Sequence, residues 1–258
     1  MTVQPRAVLF DLDETLYPER RFALSGFSAV ARAIAGDAGV STESVFRRLV
    51  GALRRGERVT AFQQLCSSLR WPEARVSRLV DIYRRHDPNL RLPGASLRTL
   101  SALRRDWRLA IVTNGPPSIQ AAKVEALGVT DLVDSVIYAY QSGSGRGKPE
   151  PEAFIDAARL LGVVPARCVF VGDDPVCDVV GARRVGMKTV RVRRGVHARE
   201  ILGAHEEADA VVDSLKDVPR VASELLPDGL AMTMPWRFPG ASKQEGAPTA
   251  RPSERSGA

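Results

Sequence analysis

Apolar and polar positions along the chain follow two rhythms. Short apolar runs recur at residues 7–10, 109–112, 136–138, 169–171 and 210–212, and residues 189–192 alternate Val190 and Val192 with Thr189 and Arg191. Runs of this length bounded by turn residues predict buried strands. Between them, apolar residues repeat at helical spacing. Leu97, Leu100 and Leu103 form one such face, and Ile119, Ala122 and Leu127 another. Residues 151–161 predict a helix closed by Gly162, and residues 179–185 a helix stopped by Gly186. Strands alternating with helices predict an α/β protein with a mostly parallel sheet covered on both faces.

One stretch breaks the alternation. From Phe22 to His86 the spacing is helical throughout: Phe27, Val30, Ala31 and Ile34, then Val45, Phe46, Leu49 and Val50 behind a cap at Ser41 or Thr42. Thr60 begins a further segment with Phe62 and Leu65, and Pro72 starts a last one through Val76, Leu79, Val80 and Tyr83. This predicts an all-helical insert between the first strand and the rest of the sheet. Leu92-Pro93-Gly94 marks the return. Residues 1–20 and 88–226 are expected to form one core and 21–87 the insert. Residues 227–258 are rich in glycine, proline and serine and read as a loosely attached tail. Within it, Met232, Met234, Trp236 and Phe238 form one short apolar patch, which could instead dock on the body or on a second subunit.

The chain has 258 residues, 44% of them apolar, enough for a substantial core. Its net charge of +7 comes from dispersed arginines rather than a block. That favours attraction to small anions over a nucleic-acid partner. Cys66, Cys168 and Cys177 have no metal-binding spacing, and three scattered cysteines argue against a disulfide framework. The first residues lack the apolar region of a signal peptide, and no stretch approaches membrane-spanning length, so a cytoplasmic setting is expected. A monomer or a homodimer is compatible with all of this.

The first strand ends in Asp11-Leu12-Asp13. On an extended backbone, residues two apart share one side. One carboxylate could then attack or hold a metal while the other handles a proton; the plainer alternative is a solvated turn. Two later strands also end in polar residues, at Thr113-Asn114 and at Gly172-Asp173-Asp174.

The stretches DLDET (11–15), VTNG (112–115), KPEPEAF (148–154) and GDDPVCD (172–178) resemble, in order, the four signature motifs of the haloacid dehalogenase-like hydrolases. The likeness is to the phosphatase branch, of the kind that includes phosphoglycolate and N-acylneuraminate-9-phosphatases. It implies a Rossmann-like core with a helical cap serving as a lid. It also implies that Asp11 is the nucleophile and Asp13 the general acid, then base. Thr113 and Asn114 would bind phosphate, and Lys148 would pair with phosphate and Asp11. Asp173, Asp11 and the backbone carbonyl of Asp13 would hold Mg²⁺, with Asp174 and Asp178 around them. An aspartate at position 13 favours phosphate esters over carbon–halogen bonds within this family.

The resemblance further places specificity in the cap and in the loop after the nucleophile, where Tyr17, Glu19, Arg20, Arg21 and Phe22 stand. The approach to Lys148, residues 140–147, is glycine-rich and lacks the family's acid, which could bring Arg146 near a substrate anion. Cys177 lies near the site without a role. His86, His197 and His205 read as surface or cap residues. The implied function is hydrolysis of a small phosphate monoester: a sugar phosphate, phosphoglycolate or a nucleoside monophosphate. A phosphomutase of the β-phosphoglucomutase type and a non-catalytic interaction protein are the alternatives.

Overall fold

A computed structural model describes residues 5–203 and 206–227. The chain runs β1 (Ala7–Phe10), α1 (Arg20–Ala38), α2 (Thr42–Arg54), α3 (Ala61–Ser68), α4 (Arg75–Arg85), α5 (Gly94–Leu103), β2 (Arg108–Thr113) and α6 (Pro117–Leu127). It continues with β3 (Ser135–Tyr138), α7 (Glu152–Leu160), β4 (Cys168–Gly172), α8 (Gly181–Arg184), β5 (Lys188–Val192), β6 (Ala210–Val212) and α9 (Val218–Leu225). The six strands pair in the order β3-β2-β1-β4-β5-β6, every pair parallel. The expected α/β architecture with helices inserted after the first strand is therefore present.

Strand periodicity sorts the core into two faces. Val8, Phe10, Leu109, Ile111, Val169 and Val171 point to one side, where Leu100, Leu103 and Val124 cover them. Ala7, Leu9, Ala110, Val112, Cys168 and Phe170 point to the other, under Phe154, Ala157 and Ala158 of α7. Both faces are apolar because both carry helices. Full burial of each large side chain contributes about 1.5–3 kcal/mol. The insert keeps a third apolar cluster of its own, built from Phe27, Val30, Ile34, Leu49, Phe62 and Leu79. Tyr83 packs against both this cluster and the core beside Phe22.

Several boundaries differ from the sequence expectation. The last helix of the insert starts at Arg75, with Pro72 in the preceding turn, where its carbonyl accepts from the Arg75 N–H. Ser41 is the cap of α2, accepting from the Ser44 N–H at 3.1 Å. Leu97 faces outward, 44% exposed, and Ser96 and Thr99 are buried instead, donating to the carbonyls of Leu16 and Leu215. The expected helix over 179–185 is a wide π-type turn, Pro175–Val180, leading into the short α8. Among the described residues no helix is long and apolar enough to cross a membrane. The tail from residue 228 onward, with its Met and aromatic patch, and His205 lie outside the described residues.

Candidate active site

β1 lies at the centre of the sheet, where the chain turns one way to β2 and β3 and then crosses to β4. Parallel sheets of this order bind ligands at the carboxyl ends of the strands beside that reversal. Asp11 follows β1, Asn114 follows β2 and Asp173 follows β4, so the three strand ends converge. A pocket of about 270 Å³ opens here, lined by Asp11, Asp13, Asn114, Lys148, Asp173 and Asp178 among others.

Lys148 is buried and shared: its Nζ donates to Asp11 Oδ1 and to Asp178 Oδ1, each at 2.7 Å. Asn114 fixes its backbone at two points. The Asn114 Oδ1 accepts from the Lys148 N–H at 2.8 Å, and Nδ2 donates to the Lys148 carbonyl at 2.9 Å. The Asn114 side chain is thus spent on positioning Lys148. Asp178 reaches the lysine over Gly172, where a Cβ would collide with the Asp178 carboxylate. Burial works against the Lys148 ammonium, but Asp11 and Asp178 outweigh it and hold its pKa above the usual lysine value.

Asp13 faces a different set of partners. Lys123 Nζ lies 2.8 Å from both its carboxylate oxygens. Gln120 Nε2 donates to Oδ2 at 2.8 Å, and the Tyr17 hydroxyl donates to Oδ1 at 2.6 Å. Gln120 Nε2 also donates to Thr113 Oγ1 at 2.5 Å, which leaves the fully buried Thr113 hydroxyl its own proton to give. Sequence reasoning missed Gln120 and Lys123, although both are on the buried face of α6. Tyr17, expected at the substrate, is instead fully buried against Asp13.

Carboxylate oxygens of Asp11, Asp173 and Asp178 lie within 4.8 Å of one another, an arrangement able to hold a divalent cation. Burial, then crowding by Asp11, Asp178, Glu14 and Asp174, pushes Asp173 up to about 8. Burial also raises Asp11, against the opposing pull of Lys148. The Asp13 carboxylate is not part of this cluster. Asp174 caps the following turn, its Oδ1 accepting from the N–H groups of Val176 and Cys177 at 2.8 Å each.

Other expected residues lie elsewhere. Arg20 and Arg21 are exposed, and Arg21 donates to the Arg91 carbonyl at 3.0 Å. Arg146 is exposed and pairs with Glu150. None of the three lines the pocket. His86 is half-buried rather than solvated, its ring bonded to the Tyr83 carbonyl and to Ser25 Oγ and packed on Phe22. His197, expected at the surface, lines the pocket together with Val196. No pocket-lining residue comes from the helical insert. The insert meets the site through Phe22, whose ring centroid lies 4.7 Å from Lys123 Nζ.

Comparison with known proteins agrees with this geometry. The model of the haloacid dehalogenase-like hydrolases matches residues 5–186. The glyceraldehyde 3-phosphate phosphatase of Methanopyrus kandleri is 33% identical over 236 residues, covering 86% of this chain and 99% of that protein. A plasmid-encoded phosphoglycolate phosphatase of Cupriavidus necator is 31% identical over 219 residues, covering 83% and 91%. Among solved structures, a HAD phosphatase from Thermococcus onnurineus superposes with a TM-score of 0.54 at 26% identity, covering 84% of this chain and 97% of that one. With four acidic, hydroxyl and lysine motifs gathered at the strand ends, the chain belongs to the haloacid dehalogenase-like hydrolases, in their phosphatase branch.

Proposed function

We propose that this protein hydrolyses a small organic phosphate monoester, with Mg²⁺, through an aspartyl-phosphate on Asp11. The carrying observation is the division of labour between two lysine-held aspartates. Asp11 is tied to Lys148 at the bottom of the pocket, and Asp13, two residues on, is held by Lys123, Gln120 and Tyr17.

In this reading Asp11 Oδ attacks phosphorus, and the ester oxygen leaves with a proton from Asp13. Asp13 then takes a proton from the water that hydrolyses the aspartyl-phosphate, which frees Asp11 as a carboxylate and restores Asp13 as the acid. Lys148 offsets the negative charge of nucleophile and phosphoryl group. The Thr113 hydroxyl proton, left over by Gln120, donates to a phosphoryl oxygen. The donor set at the cluster is oxygen only, which fits Mg²⁺. Asp178 has both oxygens engaged, Oδ1 by Lys148 and Oδ2 by the Asp174 N–H, so Asp11, Asp173 and the Asp13 carbonyl would hold the ion. Bound there, the ion neutralises charge on the transferring phosphoryl group. Residues 21–87 would act as a lid over the core formed by residues 1–20 and 88–226, and the substrate would be a small phosphorylated metabolite. The glyceraldehyde 3-phosphate and phosphoglycolate phosphatases among its relatives support that size class.

Rapid-quench labelling with radioactive ester tests the reading. Asp13→Asn should accumulate labelled protein with an aryl ester whose leaving group needs no proton, and Asp11→Asn should acquire no label. Label on Asp11→Asn would sink the assignment, as would full turnover in excess chelator with verified absence of metal.

A further inference from the structure

The machinery above accounts for the phosphate end of the pocket but leaves several lining residues without a task, Val196 and His197 among them. Val196 and His197 line it from the loop after β5. Val196 is 86% exposed, a large apolar side chain with its surface turned to solvent beside the catalytic acids.

This wall is braced from several directions. Arg194 Nη1 donates to the Thr15 carbonyl at 3.0 Å, joining the loop to the chain just after Asp13. Arg191, buried and paired with Glu207, donates to the carbonyls of His197 at 3.3 Å and Glu200 at 3.4 Å. Gly195 has φ +61°, and a Cβ there would lie 2.9 Å from Glu14 Cγ and 3.0 Å from Asp173 Oδ2. The loop therefore seats directly on the acidic site, in a left-handed conformation that favours glycine.

The His197 ring has a defined polarity. Its Nδ1 lies 2.9 Å from Glu200 Oε1, and a carboxylate only accepts, so Nδ1 carries the proton. Nε2 is the ring nitrogen left to meet a ligand. That atom faces the pocket 3.7 Å from Asp174 Oδ2. Glu14, Asp174 and Glu200 make this end of the pocket acidic.

We propose that Val196 and His197 form the subsite for the alcohol half of the ester and set the choice of substrate. Val196 packs on the carbon skeleton, and His197 Nε2 hydrogen-bonds a hydroxyl next to the ester carbon. The surrounding carboxylates repel a second anionic group, so hydroxylated esters of the polyol or sugar type are preferred to carboxylate-bearing ones. The inference rests on the phosphatase reading and places discrimination in a core loop rather than in the helical insert.

The test is phosphate release from a panel containing polyol and sugar phosphates and phosphoglycolate, with the unaltered protein, His197→Ala, His197→Gln and Val196→Ser. For hydroxylated esters His197→Ala should raise KM about tenfold, the scale of one lost hydrogen bond, with a smaller change in kcat. His197→Gln, which keeps an acceptor, should recover part of that loss. Val196→Ser should raise KM more for longer carbon skeletons. Inhibition by inorganic phosphate, which has no carbon skeleton, should move far less than KM. An unchanged ranking of kcat/KM in all three variants would overturn the subsite, and so would a loss of phosphate inhibition equal to the loss in KM. Absence of turnover of every ester by the unaltered protein would instead overturn the phosphatase reading beneath it.

Discussion

Lys148 and Lys123 are both about 4% exposed, and each is stabilised by aspartates rather than by water. Removing either charge strands a carboxylate, buried at Asp11 and Asp178 and half-buried at Asp13, but the consequences differ. Lys148→Met should lower kcat/KM on the order of a thousandfold, the scale of a lost electrostatic donor at developing charge. Circular dichroism should show the fold retained, and a folded variant with most of its activity would make the lysine structural only. Lys123→Met should cost on the order of a hundredfold for alkyl esters, because Asp13 loses its two-point hold and general acid catalysis with it. The loss should shrink for nitrophenyl phosphate, whose leaving group needs no proton; an equal loss for both esters would argue against positioning of the acid. Lys148 was legible because it sits in a motif at a strand-following turn. Lys123 and Gln120 were not, because apolar spacing marks Ile119, Ala122 and Leu127 as the inner face of α6. The face turned inward buries Gln120 and Lys123 beside Val124 and Leu127, and polar groups turn inward only because Asp13 and Thr113 satisfy them. His197 was missed for a related reason: nothing local in Gly195-Val196-His197 announces that Arg194 and Arg191 pull this loop onto the site.

At the level of elements, the strands were readable to within a residue at most ends because most are apolar on both faces and closed by polar residues, with β5, which carries Thr189 and Arg191 on one face, the exception. The misread elements are those whose ends are set by distant partners. The turn at 175–180 is wound wider than an α-helix, with Asp174 capping it and Asp178 directed to Lys148. Its sequence carries helical spacing, and the tertiary pairing decides otherwise. A comparable long-range clamp lies at the sheet edge. Asp209 precedes β6, and its Oδ2 accepts from both the Thr189 N–H and the Thr189 hydroxyl at 2.8 Å each. Burial opposes the Asp209 charge, but these bonds and Lys188 prevail and hold its pKa below the usual carboxylate value. Its contribution to stability is therefore complete above the ordinary carboxylate pKa and is lost as pH falls through the depressed native value. Asp209→Ala should lower Tm at neutral pH by about 2–4 °C, the equivalent of roughly 1 kcal/mol for a chain of this size. Thermal melts at descending pH should show the two proteins converging only in the acid limb. A gap that persists unchanged to the lowest pH would show that the charge of Asp209 contributes nothing.

Across the whole molecule, two apolar bodies meet through a small aromatic hinge. Tyr83 stacks edge-on to Phe22 and Phe62 and leans on Phe27, so it belongs to the insert and to the core at once. The Arg58–Glu19 ion pair, at 2.8 Å, ties the same junction at its rim. Tyr83→Ala should cost about 3 kcal/mol, the lower end for truncating a packed aromatic. It should also loosen the coupling of the two bodies. Urea unfolding followed by tryptophan fluorescence and by far-ultraviolet circular dichroism should give coincident transitions for the native protein and separated ones for the variant. Coincident curves in both would mean that the bodies are joined elsewhere. The central position of β1 has a further consequence, for the time the chain spends being made. Ala7 pairs with Arg108 on one side and with Cys168 on the other. At a synthesis rate of about 5–20 residues per second, the first of these partners follows roughly 5–20 seconds behind. During that interval the helices of the insert, whose contacts are local, can already assemble on the ribosome. The strand that leads into Asp11 must meanwhile wait bare, an apolar edge open to chaperones or to a neighbouring nascent chain.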